Sequence, residues 1–317
     1  MKHTTKITYL LLGLFIVSQF LGLFLIQHDA KLTTVTIDGV NETVVDYVET
    51  AVGPRPELQG LGSLIYIVAG VAIGTLLLLL FMRLRSGIKI WTVWYFLAAS
   101  IALTVTFGVF LPAIIAFLLA ILFAYAKIKY KTFLIHNITE VLLYAGIALL
   151  FAPLFDILWM IVLLLLISAY DMYAVWKSKH MIKLAKFTSK SQVFAGLLIN
   201  YKKEKTKTQI IHKQLPKPPE SLKNKKHSSK TNQAVLGGGD IIFPLLFAGV
   251  VFSDLFLQGF TKGTAFLLTL FIPVFALLAL FALFKYSKKN KFYPAIPYLT
   301  MGCLIGFCFL QILLLLL

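Results

Sequence analysis

Three carboxylates fall inside long apolar stretches of this 317-residue chain: Glu140, Asp171 and Asp240. Asp240 stands behind three consecutive glycines in Ala234 to Phe252, AVLGGGDIIFPLLFAGVVF. A carboxylate held in hydrocarbon costs about 3 kcal/mol, so it marks either a paired charge or a functional site. Residues three and four positions away share a helix face and separate the two cases. Around Asp171 they are Ile167, Ser168, Ala174 and Val175; around Asp240 they are Leu236, Gly237, Phe243 and Pro244. Neither aspartate has a local cation. Glu140 differs, with His136 one turn before it and Asn137 beside that, so a structural polar cluster accounts for it. Asp156 and Asp254 lie at span ends, where headgroups or water solvate them.

Two carboxylates brought together without a cation cannot both ionise, and the pair shares one proton. The ionised member is then a base and the protonated member an acid. Aspartic proteolysis needs that division: the base activates a water for attack on a peptide carbonyl, and the acid donates to the carbonyl oxygen. No metal, cofactor or covalent intermediate is required. Which aspartate takes which part is left open by the sequence.

The elements that must hold these side chains are membrane helices. Hydrophobic residues make up 59% of the chain and charged residues 14%, and the apolar residues come in blocks of span length. The expected class is an all-α integral membrane protein of nine transmembrane helices: Ile7–Ile26, Leu64–Met82, Ile90–Phe110, Pro112–Ala126, Phe133–Ala152, Leu154–Val175, Ala234–Phe252, Thr264–Phe284 and Pro294–Leu317. The first exceeds a signal-peptide core and lacks a small-residue cleavage motif, so it reads as a retained span. Arg83, Arg85 and Lys89, then Lys127, Lys129 and Lys131, then residues 176–233, then Lys285, Lys288, Lys289 and Lys291 fall in alternate connections. The positive-inside rule therefore puts the N-terminus in the cytoplasm and the C-terminus outside. Asp171 precedes the cytoplasmic end of its span by four residues and Asp240 follows the start of its own by six, depths of roughly 6 and 9 Å. The two can meet at one level.

The net charge of +17 does not indicate nucleic acid, because the lysines sit in short segments between spans, where they orient the chain and attract anionic lipid. The chain divides into residues 1–175, six spans carrying Asp171; residues 176–233, a basic cytoplasmic loop, partly disordered; and residues 234–317, three spans carrying Asp240. The loop holds fifteen lysines against Glu204 and Glu220. Its middle, residues 215–233, has a linker composition. Its beginning, Lys179 to Asn200, carries Met181, Leu184, Phe187 and Phe194 among lysines and reads as an interfacial helix or a solvated loop. Leu32 to Ile37 alternates before Asp38-Gly39 and predicts a small hairpin, with a glycosylation-type triplet at Asn41-Glu42-Thr43. Cys303 and Cys308, five apart, do not share a helix face and read as packing residues.

Tyr170-Asp171 within Ile167-Ser168-Ala169 and Ala174-Val175 resembles the sixth-span motif of presenilins. Gly237-Gly238-Gly239-Asp240 followed by Ile242-Phe243 is similar to their Gly-x-Gly-Asp motif, and Pro294-Ala295-Ile296-Pro297 to the Pro-Ala-Leu motif opening the ninth span. The resemblance is specific from about Phe133 onward. It implies an intramembrane aspartyl protease of the presenilin and signal peptide peptidase class, most like archaeal presenilin homologues, in the cell membrane. On that basis Asp171 and Asp240 would be the catalytic pair, Tyr170 a supporting residue, and Gly237, Gly238, Gly239, Pro294, Ala295 and Ile296 the substrate-binding side. Substrates would be transmembrane helices, and no accessory subunit is indicated. The chain departs from the family in carrying Ile296 for leucine and Gly238 for a larger apolar residue. The competing readings are a prepilin-peptidase-like protease, which leaves the Tyr-Asp and Pro-Ala-Ile motifs unexplained, a proton-coupled transporter or channel, which predicts inverted repeats, and a membrane scaffold in which both aspartates are dispensable.

Overall fold

The computed structural model describes residues 5–37, 40–130, 132–178, 194–202, 231–287 and 293–316. In hydrocarbon every backbone N–H and C=O must be satisfied within the segment, so the apolar blocks fold as helices. In chain order these are α1 (Thr5–Asp29), α2 (Leu61–Arg83), α3 (Gly87–Gly108), α4 (Ala113–Lys129), α5 (Phe133–Phe151), α6 (Ile157–Tyr173), α7 (Gly238–Leu257), α8 (Lys262–Tyr286) and α9 (Ile296–Leu316). Eight of them are long and apolar enough to cross a membrane, α6 once the helical turn that continues it to Lys177 is counted; α4, at 17 residues, is the one that falls short. A 3-10 turn at Ala152–Leu154 contains Pro153 and separates α5 from α6, whose first turn is capped by Asp156 accepting the Trp159 N–H at 2.9 Å.

α7 is the central element. Its residues 244–252 are all buried, and it packs against α1, α5, α6, α8 and α9. Lipid is as apolar as a protein core, so apolarity alone does not put a helix inside the bundle; the contacts of α7 with five neighbouring helices do. α2 is its opposite, with only Ser63 and Leu64 buried. Where helices come closest, small residues let them: a Cβ on Gly146 of α5 would collide with the Ala102 carbonyl of α3, and one on Gly302 of α9 would lie 2.7 Å from the Phe275 carbonyl of α8.

Two short antiparallel sheets accompany the helices, so the chain is not wholly α. The first is the expected hairpin, β1 (Ala30–Ile37) with β2 (Val40–Tyr47), Ile37 paired with Val40. The turn residues Asp38 and Gly39 lie outside the described residues. Tyr47 fixes the hairpin to α7 through its hydroxyl and that of Ser253. Arg55 closes the same end of the bundle, pairing with Asp29 at 2.8 Å and donating to the Leu149 carbonyl at 3.1 Å.

The second sheet departs from expectation. β3 (Gly196–Lys202) pairs with β4 (Thr231–Gly237), Gly196 opposite Gly237. Residues 196–200 are thus strand rather than interfacial helix, and 234–237 are strand rather than the opening of the seventh span. The cause is non-local. Asn137 of α5 brackets Leu198, accepting its N–H and donating to its carbonyl, both at 2.9 Å, which fixes an extended backbone that local apolar spacing does not disclose. Met181, Leu184, Phe187, Glu204, the linker from Leu215 to Lys230, and Lys131, Lys288, Lys289 and Lys291 lie outside the described residues.

Candidate active site

Asp171 occupies the last turn of α6, just before a π-helical turn at Ala174–Ser178. It is buried, 3% exposed, and its Oδ2 accepts the Ile296 N–H at 3.2 Å. One turn earlier Ser168 shares a 2.8 Å hydrogen bond with Thr300 of α9. Positions 168 and 171 on α6 thus meet 300 and 296 on α9, and the two helices are pinned together at the acid. The donor at Ile296 is free because it opens α9, where the first four N–H groups have no partner within the helix.

Asp240 is the third residue of α7, and its Oδ2 accepts the Gly237 N–H at 3.2 Å. This is the acidic half of a capping box, the ordinary use of a carboxylate at that position. The expected depth of six residues into a helix is therefore corrected: the strand β4 delivers the chain to Gly237, and Asp240 sits in the first helical turn. Pro244 removes the N–H that would bond the Asp240 carbonyl, leaving this turn weakly held from within. Gln19 of α1 holds the neighbouring residue from outside, donating from Nε2 to the Ile241 carbonyl at 2.8 Å.

The end of α6, the start of α7 and the start of α9 meet at one point. α6 and α9 both pack on α7. Ile296 joins the three segments, with its N–H on Asp171 and its Cδ1 3.8 Å from where a Cβ on Gly239 would stand. Pro294 and Ile296 are buried and Ala295 and the three glycines half-buried, whereas Tyr170 is exposed at 45%. Among the described residues no basic side chain pairs with either aspartate; the ion pairs are Arg55–Asp29 and Lys127–Glu140. No cluster of metal-ligating side chains occurs among the described residues. A cavity of about 150 Å³ lined by His28, Asp29, Arg55 and Leu149 lies at the other end of the bundle and contains neither aspartate.

Glu140 sits in a polar cluster, but with partners other than those expected. His136 and Asn137 turn to β3, His136 Nε2 meeting the Gly196 carbonyl at 2.8 Å. Glu140 is fully buried and pairs with Lys127 of α4, while Tyr95 of α3 donates to its Oε1 at 2.5 Å and Tyr144 of α5 donates to its Oε2. Lys127 reads in the sequence as a topology lysine, yet it is 5% exposed. Gln19 also escapes a reading restricted to carboxylates. The adjacent polar pair Ser18-Gln19 inside an apolar span was the available signal, since buried amides in membrane helices bond across to neighbours.

The family model for signal-peptide peptidase and presenilin aspartyl protease matches residues 12–315. Two solved structures of a presenilin family intramembrane aspartate protease, in C222 and P2 crystal forms, superpose on this fold. The first is 20% identical with a TM-score of 0.56, covering 96% of this chain and 99% of that one. The second is 19% identical with a TM-score of 0.56, covering 96% of each. At that identity the likeness concerns the fold alone. A search of curated protein sequences gave no match. The chain belongs to the signal-peptide peptidase and presenilin aspartyl protease family and is a multi-pass membrane aspartyl protease.

Proposed function

We propose that Asp171 and Asp240 are the catalytic dyad of this protease and that it hydrolyses peptide bonds within transmembrane helices of other membrane proteins. The observation that carries the reading is that two carboxylates, each held by a backbone N–H, stand on helices joined by Ile296, without a cationic side chain on either among the described residues. In that setting the pair shares a proton, so that one acid and one base face the same bond. The base takes a proton from water, the resulting hydroxide attacks the carbonyl carbon, and the acid protonates the carbonyl oxygen. The former base then gives its proton to the amide nitrogen while the former acid takes one back from a hydroxyl of the tetrahedral intermediate; the C–N bond breaks, carboxylic acid and amine leave, and the pair again holds one proton.

A substrate helix hides its carbonyls in internal hydrogen bonds and must unwind before attack. Gly237 to Gly239 and Pro294 to Ile296 form the side of the site that receives it, with the unwound stretch adding as a strand. Supporting this, the β3–β4 sheet has two strands among the described residues, and β4 runs directly into Gly237. Tyr170, exposed beside Asp171, supports the same side from the surface of α6.

In the membrane α4 is the ninth crossing, the N-terminus is cytoplasmic and the C-terminus outside, which directs the enzyme to substrates whose N-terminus lies outside. Residues 1–175 and 234–317 then each contribute one aspartate, joined by the basic segment 176–233, whose lysines contact anionic lipid headgroups. The test is cleavage of a membrane-spanning reporter peptide by purified protein in detergent, wild type beside Asp171→Asn and Asp240→Asn. Loss of cleavage in both is expected, and cleavage surviving in either removes the dyad.

A further inference from the structure

The buried cluster around Glu140 is not used by the dyad, yet it reaches the first turn of α7 by two routes. In the first, Tyr144 donates its hydroxyl to Glu140 Oε2, and a Cβ on Gly238 would lie 3.2 Å from both Cε1 and Oη of that tyrosine. The tyrosine therefore abuts the glycine two residues before Asp240. In the second, the Gly196 N–H donates to the same Oε2 at 3.0 Å, Gly196 pairs with Gly237 in the sheet, and the Gly238 N–H donates to the Ala195 carbonyl at 3.3 Å. Gly237 is the residue whose N–H holds Asp240 Oδ2. The other carboxylate oxygen faces away from this, toward Tyr95 of α3 and Lys127 of α4.

A carboxylate whose only task was to neutralise Lys127 would need only its Oε1 side. The Oε2 side bonds one side chain and one strand amide, and both lead to Gly237 and Gly238. We propose that Glu140 is a positioning residue of the protease, anchored by Lys127 and Tyr95 and, through Tyr144 and β3, fixing the Gly237–Gly238 segment that sets Asp240. The proposal rests on the reading of Asp240 as catalytic. It assigns Lys127 the role of holding the anchor and Tyr144 that of transmitting its position. It also gives a physical reason for glycine at position 238, since a Cβ there would press on the tyrosine at 3.2 Å and displace it.

The experiment compares two double variants of the full-length protein in detergent, K127M/E140Q and K127M/E140L, with a membrane-spanning reporter peptide. Both remove the buried charge pair. Glutamine keeps a carbonyl oxygen that accepts from Tyr144 and Gly196, and leucine does not. K127M/E140L is expected to melt lower, because leucine leaves the Tyr144 and Gly196 donors unpaired, so kcat is compared below both transitions. K127M/E140Q keeps the larger part of kcat, while K127M/E140L loses about 10- to 100-fold in kcat with little change in KM, as small displacements of a reacting group do. Hydrogen exchange at the amides of Gly196 and Gly238 accelerates only in the leucine variant. Equal kcat in the two variants, or equal exchange at both amides, overturns the proposal.

Should K127M/E140L fail to fold, Tyr144→Phe carries the test alone. It keeps the ring and the ion pair and removes one donor, so the melting temperature drops modestly while kcat of the folded protein falls and KM holds, and wild-type kcat with wild-type exchange at Gly238 overturns the proposal. Asp171→Asn and Asp240→Asn run alongside. Cleavage surviving there removes the dyad reading, while the exchange data still report whether Glu140 fixes β3 and the start of α7.

Discussion

The bundle buries carboxylates in two neighbourhoods that treat charge in opposite ways. Around Glu140 the negative charge meets Lys127, and Tyr95, Tyr144 and the Gly196 N–H fill the remaining lone pairs. Around Asp171 and Asp240 the partners are the backbone N–H groups of Ile296 and Gly237, and the two acids stand on helices joined by Ile296. A saturated ion pair has no proton to trade and serves as scaffold. Two acids left together must share a proton, and that sharing is what acid–base chemistry requires. The difference between the clusters lies in what was left unneutralised, since all three acids are carboxylates in apolar spans.

The contrast is sharpest in activity. Asp171→Asn and Asp240→Asn keep an oxygen for the Ile296 and Gly237 donors, so both variants fold, yet cleavage of the reporter peptide falls on the order of 10²- to 10⁴-fold. Lys127→Met has the reverse profile. It leaves Glu140 buried and unpaired and destabilises the fold by about 3–5 kcal/mol, read as a lowered melting temperature that K127M/E140Q largely restores. Equal melting of Lys127→Met and Asp171→Asn would erase the distinction between the clusters.

Smaller effects test the margins of the site. In Gly239→Ala the added Cβ meets Phe243 at 3.5 Å and Ile296 at 3.8 Å, ordinary contacts, so the protein folds. The stiffened first turn of α7 and the loss of Pro294 in Pro294→Ala each lower kcat about tenfold while melting barely moves; normal turnover in both would detach these residues from the site. The smallest change belongs to Thr300→Ala. It removes the hydrogen bond to Ser168 one turn from Asp171 and costs about 0.6 kcal/mol, visible in melting and close to silent in cleavage.

Much of this arrangement can be read from the chain. The absence of a cation within one turn of Asp171 or Asp240 is a sequence fact, and three-dimensional packing among the described residues adds none. The hairpin of β1 and β2 is legible because its partners are neighbours, with Ile37 and Val40 separated by the Asp38-Gly39 turn. The β3–β4 sheet is illegible for the converse reason: its strands are far apart in sequence, and Asn137, which holds one of them, lies 61 residues from Leu198. Local spacing around Glu140 pointed to His136, yet that ring turns to the Gly196 carbonyl and the charge partner is a lysine on another helix.

The sequence by itself determined that apolar segments cross a membrane, because a backbone in hydrocarbon must satisfy its own hydrogen bonds, and that two acids enter that environment without a local counter-ion. Only the tertiary structure decided which groups face them. Ile296 reaches Asp171 across 125 residues and Gln19 reaches the carbonyl beside Asp240 across 222. Periodicity tells which side of a helix is buried, whereas the identity of the helix lying against it depends on the shapes of both. At positions such as Gly146, Gly302 and Gly238 the close approach of a carbonyl or a tyrosine ring makes that choice.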